Sequence, residues 1–174
     1  MKERIGTQMT EKATFAAGCF WGVEADFRRV EGVVQTTAGY TGGTVANPSY
    51  ELVCTDTTNH AEAVLVEFDP SRVSYEDLLE VFWSAHDPTQ VNRQGPDVGR
   101  QYRSAIYVHS PDQEVAATRS KAEAQARFPR PIATDIAQAT EFYPAEDYHQ
   151  RYLEKRGLAS CAVSVAHGTA DATG

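Results

Sequence analysis

The alternation of apolar and polar residues divides the chain into short segments of two periods. Ala13 to Ala17 reads as a strand that Gly18 ends. From Cys19 to Glu31, Phe20, Val23, Phe27 and Val30 recur at helical spacing, and Gly32 closes that one-sided stripe. Val33 to Tyr40 alternates as a strand, and Thr41 to Ser49, with Gly42-Gly43 and Asn47-Pro48, reads as loop. Glu62 to Phe68 is the clearest strand. Ser74, followed by Asp77, predicts a capped helix to about Ala85, stopped by Asp87-Pro88.

Thr89 to Arg103 is a polar loop of 15 residues, and loops that long inside compact domains are usually functional. Ser104 to His109 is a further strand. Ser110-Pro111 opens a helix, with Gln113 completing a capping box, and Phe128-Pro129-Arg130-Pro131 breaks it. Ile132 to Phe142 is predicted as strand and Ala145 to about Lys155 as a short helix. Residues 1–12 form a polar leader, and 157–174, rich in Ala, Ser, Gly and Thr, are expected to be a mobile tail. The order β-α-β, β-α-β, α-β-α predicts one catalytic α+β domain over 1–174. Its expected form is a two-layer sandwich around a ferredoxin-like split β-α-β core.

Composition narrows the function classes. With 174 residues, 41% of them hydrophobic and 23% charged, the chain is a globular domain of ordinary make-up. A net charge of -8 speaks against nucleic acid or an anionic membrane surface as partner. No apolar run approaches the roughly 20 residues that span a bilayer. No apolar segment follows Lys2 and Arg4 as in a secretory signal, so a cytoplasmic monomer is expected. Three cysteines (Cys19, Cys54, Cys161) are too few for a disulfide framework and lack C-x-x-C spacing. The five histidines are scattered, so no metal or bound cofactor is expected.

Attention therefore falls on Cys19. A strand, a glycine and a cysteine at a helix start place a thiol among unpaired N–H groups, which favour the thiolate. A helix N-terminus contributes about 0.3–1 kcal/mol, against about 1.4 kcal/mol per pKa unit. The dipole alone thus moves a thiol only from about 8.5 to about 8, and something else must complete the activation. Phe20 and Trp21 would set aromatic faces beside the thiol, suited to a small apolar group such as a methyl on sulfur; packing in the core is the competing reading, above all for Phe20 on the apolar stripe. Glu62 shares a face with Val64, Val66 and Phe68. Desolvation on that face would raise its pKa and keep it protonated; an exposed strand-end glutamate is the alternative.

Gly18-Cys19-Phe20-Trp21-Gly22 resembles the signature of the A-type peptide methionine sulfoxide reductases. Gly39-Tyr40-Thr41-Gly42-Gly43, Asn47-Pro48-Ser49-Tyr50, His60-Ala61-Glu62, Gln101-Tyr102-Arg103-Ser104 and Asp147-Tyr148-His149-Gln150 follow in the family's order. The resemblance implies reduction of the S epimer of methionine sulfoxide, free or in proteins, with thioredoxin as external reductant. It gives Cys19 the role of nucleophile and Glu62 that of acid. Phe20, Trp21, Tyr50, Asp97 and Tyr102 become substrate-binding residues. Cys161, twelve residues after His149, becomes the thiol that resolves a Cys19 sulfenic acid. Cys54 is expected to be a buried bystander, His60 and His149 structural, and His86 a packing or capping residue. A peroxiredoxin-like thiol peroxidase, a Cys-His hydrolase using His60 or His149, and a module that binds oxidised methionine without turnover are the competing functions.

Overall fold

The computed structural model describes residues 9–157, so the expected tail and Cys161 lie outside the described residues. The chain runs β1 (Glu11–Ala17), α1 (Phe20–Arg28), β2 (Val33–Thr41), α2 (Tyr50–Cys54), β3 (Ala61–Phe68), α3 (Tyr75–Ala85), β4 (Arg93–Gln94), β5 (Asp97–Val98), β6 (Ser104–Val108), α4 (Pro111–Ala124), β7 (Asp135–Gln138), β8 (Phe142–Pro144) and α5 (Tyr152–Lys155). The six-stranded sheet has the order β7-β6-β1-β3-β2-β8, and β4 and β5 pair as a separate hairpin. Its inner four strands, β6-β1-β3-β2, are antiparallel neighbours joined through α1 and α3. This is the expected split β-α-β arrangement.

One sheet face packs against the helices. Phe15, Val64, Val66, Phe68 and Ile106 meet Phe20, Val23, Phe27, Leu78, Leu79 and Phe82 in a single core. α3 starts as its sequence demands. The Ser74 hydroxyl accepts from Asp77 N, and the Asp77 carboxylate accepts from Ser74 N. At α4 the reciprocal half of the box is missing. Ser110 accepts from Gln113 N, but the Gln113 side chain accepts from His109 N and donates to the Lys12 carbonyl instead.

The segment Ile132 to Phe142 is two strands, not one. β7 lies on one edge of the sheet, parallel to β6, and β8 lies on the other, antiparallel to β2. Six flat strands would put those edges about 24 Å apart at the usual spacing of about 4.8 Å. The step from Gln138 to Phe142 spans at most about 14 Å at about 3.6 Å per residue. The sheet therefore curls, and its concave face holds small residues. Ala16, Ala63 and Ala105 pack there with Tyr107, under Ala139 and Phe142 of the crossing segment. The expected two-layer α+β sandwich thus takes the form of a curled sheet with helices on its outer face. The last predicted helix is also interrupted: a 3-10 turn at Asp147–His149 precedes α5, and Arg151 between them has φ +51°.

Candidate active site

Cys19 stands where β1 becomes α1. Gly18 makes the turn at φ +101°, and a Cβ there would press against Gln94 at 2.9 Å. Cys19 is the N-cap of α1, one position earlier than the first turn that its spacing suggested, and is half-buried. Its carbonyl accepts from Val23 N at 3.4 Å. The first helical N–H, that of Phe20, donates to Glu62 Oε1 at 3.2 Å. The peptide following the thiol is thereby tied to a carboxyl group 42 residues further along the chain.

Glu62 occupies the second position of β3, opposite Tyr40 of β2. It faces the core with Val64, Val66 and Phe68 and is 2% exposed. Burial pushes its pKa up to about 8; the Phe20 N–H opposes the rise, and the charge of Asp97 adds to it. At neutral pH the carboxyl keeps its proton and has an O–H to donate.

Two phenols share this environment. Burial raises the Tyr50 and Tyr102 hydroxyls above their ordinary range, and the charge of Glu62 raises both further. Tyr102 also feels Asp97, Cys54 and Cys19. Cys19, Glu62, Tyr50, Tyr102 and Asp97, spread over 84 positions of sequence, are thus brought to one end of the curled sheet. Asp97 and Tyr102, expected in the loop from Thr89 to Arg103, and Tyr50, just past the loop that ends at Ser49, all sit in short elements. Tyr50 opens α2, whose cap is Ser49 accepting from Leu52 N at 3.1 Å. Asp97 belongs to β5, and Tyr102 ends a 3-10 turn over Arg100–Tyr102. Elements of two to five residues are too short to show a hydrophobic period.

Cys54 corrects its reading as a buried bystander. It is exposed, one turn after Tyr50 on α2, and its thiol is hydrogen-bonded with the Tyr50 hydroxyl. The short helix turns Val53 into the core and the next residue outward.

The aromatic residues divide by role. Phe20 is buried in the core against Tyr40 and His149, with ring centroids 5.6 and 5.2 Å apart. Trp21 is half-buried and stacks on Tyr152 at 3.7 Å. Its indole N–H donates to His149 Nδ1 at 2.9 Å. His149 is 1% exposed, with Tyr50 on one side at 4.4 Å and Nε2 without a hydrogen-bond partner. Burial lowers its pKa, so the ring is neutral at pH 7. Glu146 accepts from the Tyr40 hydroxyl and from Tyr50 N, both at 2.9 Å. Burial would raise its pKa, but those hydrogen bonds hold it below the usual carboxylate value. Sequence reasoning missed Glu146, for a single carboxylate between Pro144 and Asp147 carries no signal of its own.

His60 and His86 are structural. His60 accepts from Gly43 N at 3.0 Å and donates to the Val45 carbonyl at 2.7 Å, pinning the loop after β2. His86 is half-buried, and loss of solvation lowers its pKa to about 4; it donates to the Phe82 carbonyl and accepts from Ser104. Among the described residues no three His, Cys, Asp or Glu side chains converge as a metal would need. No helix is long and apolar enough to cross a membrane, again among the described residues.

The chain matches the family described as Peptide methionine sulfoxide reductase over residues 11–173. It is 60% identical over 157 residues to the Peptide methionine sulfoxide reductase MsrA of Geobacter metallireducens, covering 89% of this chain and 97% of that one. Among solved structures it is similar to Mxr1 from Saccharomyces cerevisiae in reduced form, with a TM-score of 0.82, 36% identity and coverage of 85% and 86%. It is also similar to Mxr1 in complex with Trx2, with a TM-score of 0.60, 27% identity and coverage of 82% and 84%.

Proposed function

The chain belongs to the peptide methionine sulfoxide reductase family, and from that membership we infer that it is a thiol oxidoreductase returning methionine sulfoxide to methionine. The observation that carries the mechanism is the Phe20 N–H to Glu62 hydrogen bond, which sets a protonated acid beside the nucleophile's helix start. The substrate sulfoxide lies between Cys19 and Glu62. The Cys19 sulfur attacks the sulfoxide sulfur, forming an S–S bond, while Glu62 protonates the oxygen and makes the sulfur electrophilic; the Cys19 thiol proton replaces the one that Glu62 gives up. The Tyr50 and Tyr102 hydroxyls, neutral in this setting, donate to the same oxygen. The S–O bond breaks, the oxygen passes to Cys19, methionine leaves and Cys19 becomes a sulfenic acid. Trp21, fixed by His149 and Tyr152, supplies the apolar wall for the methyl group, backed by the buried Phe20.

A second thiol then displaces water from the sulfenic acid to form a disulfide. Cys161 takes that part, and two electrons from thioredoxin reopen the disulfide; the likeness to Mxr1 in complex with Trx2 supports this choice of reductant. The substrate is the S epimer of methionine sulfoxide, in proteins and free, and no bound cofactor takes part. The competing functions are not favoured. A Cys-His hydrolase lacks its base, since both ring nitrogens of His60 are engaged by Gly43 and Val45, while His149 Nδ1 accepts from Trp21 and leaves the ring proton on Nε2, which then has no lone pair to take another.

The test is stoichiometric. Without reductant, excess methionine sulfoxide should yield one methionine per Cys161→Ser chain, with one oxygen added at Cys19 by mass spectrometry. Substrate bound without release of methionine would leave only a binding module.

A further inference from the structure

We propose that the arginine-lined hollow between α1 and α5 is a subsite for an acidic side chain flanking the oxidised methionine of a peptide substrate. The proposal rests on the reductase reading given above. The hollow encloses about 280 Å³; its apolar lining includes Trp21 and Leu153, and its charged lining is Arg28, Arg29, Arg151 and Glu154. Three arginines against one glutamate leave two surplus positive charges, on a chain whose net charge is -8. Glu154 is engaged by Arg28 at 2.8 Å. Arg29 and Arg151 are exposed.

The hollow is held in shape from beneath. Glu24, buried in α1, accepts from Arg151 N and from the Thr36 hydroxyl, both at 2.8 Å. That anchor keeps Arg151 at φ +51°, a left-handed conformation that residues with side chains seldom adopt. Beside it the Arg156 guanidinium lies 4.4 Å over the Tyr152 ring, which stacks on Trp21. A cation and two rings therefore fix α5 against α1, and Trp21 belongs both to the hollow and to the wall beside Cys19.

Distance sets the position of the acid. Arg28 and Arg29 lie about 13–15 Å from Cys19 along α1, at about 1.5 Å per residue. An extended peptide covers about 3.3–3.6 Å per residue, and the reach of an arginine side chain shortens the span. An aspartate or glutamate two to four positions from the methionine sulfoxide falls within the hollow. A carboxylate there meets guanidinium groups that donate in pairs.

The experiment uses the full chain at low ionic strength. The substrates are blocked methionine sulfoxide peptides with Glu or Gln at the second, third or fourth flanking position, and N-acetyl methionine sulfoxide methylamide as the uncharged reference. We expect kcat/KM about three- to tenfold higher for the best Glu peptide than for its Gln partner, mainly through KM. The gap should close as salt shortens the screening length to about 3 Å near 1 M. Arg29→Gln with Arg151→Asn, asparagine being at ease in the left-handed region, should erase the preference and leave the uncharged reference within twofold. Equal rates for Glu and Gln peptides in the wild type, or a preference that survives the double substitution, would overturn the subsite. So would a loss confined to recycling by thioredoxin and absent with dithiothreitol, which would give the patch to the reductant. A wild-type chain that leaves the uncharged reference unreduced would instead overturn the reductase reading, and the subsite with it.

Discussion

Glu62 has its chemistry imposed by where its side chain must go. A carboxyl facing Val64 and Val66 loses its water, and the pKa climbs to about 8. Its proton is present below that value and lost as pH rises through it. The first step should therefore slow above about pH 8 in a single-turnover pH profile. Glu62→Gln should remove that limb and cut the rate of sulfenic acid formation about 10²-fold or more, with substrate affinity kept. A variant within twofold of wild type would exclude Glu62 as the acid. Stability carries the same sign: the folded chain holds a proton that the unfolded chain releases from its ordinary 4.5. Glu62's contribution is thus present below about 4.5 and lost as pH rises to about 8. This residue was legible in sequence because a period of two shows which face a strand residue takes. His149 and Glu146 were not legible as partners of Trp21 and Tyr50, since those contacts join residues 128 and 96 positions apart.

At the scale of elements, the long ones obeyed their patterns and the short ones did not announce themselves. β1, β3 and α3 carry periodic stripes or caps and lie within a residue or two of the expected limits, while α4 starts at its cap and passes into a 3-10 turn over Gln125–Arg127 before the Phe128 break. α2, β4 and β5 have five residues or fewer and arise from tertiary contacts. The division of Ile132 to Phe142 was hidden for a different reason: one continuous extended run supplies both edges of a curled sheet. The loop after β2 shows how closely such segments fit. A Cβ on Gly43 would come within 2.4 Å of the Thr58 carbonyl and 2.5 Å of His60 N, both backbone atoms. Gly43→Ala should therefore cost about 1–3 kcal/mol of stability, as overpacking does, measured by denaturant titration. Activity should fall as well, because the displaced backbone leads directly into Glu62. An unchanged midpoint would show that the two loops separate freely.

On the scale of the whole molecule, the proposed reaction draws on Cys161 as well as on the described fold. Cys161 lies beyond the described residues, and the expected Cys161→Ser phenotype separates its role from that of the sheet. One turnover should proceed at the wild-type rate, while steady-state cycling with thioredoxin should fail; unimpaired cycling would remove Cys161 as resolver. The first half-reaction belongs to the pairing of β1 with β3, where Phe15 stands opposite Val64. A slip of one residue would turn Glu62 to the other sheet face and leave Cys19 without its acid. Before that pairing forms, during synthesis or after unfolding, the chain carries an ordinary thiol and an ordinary carboxylate. Reactivity toward sulfoxides is therefore a readout of completed folding, and a damaged or immature copy stays chemically silent.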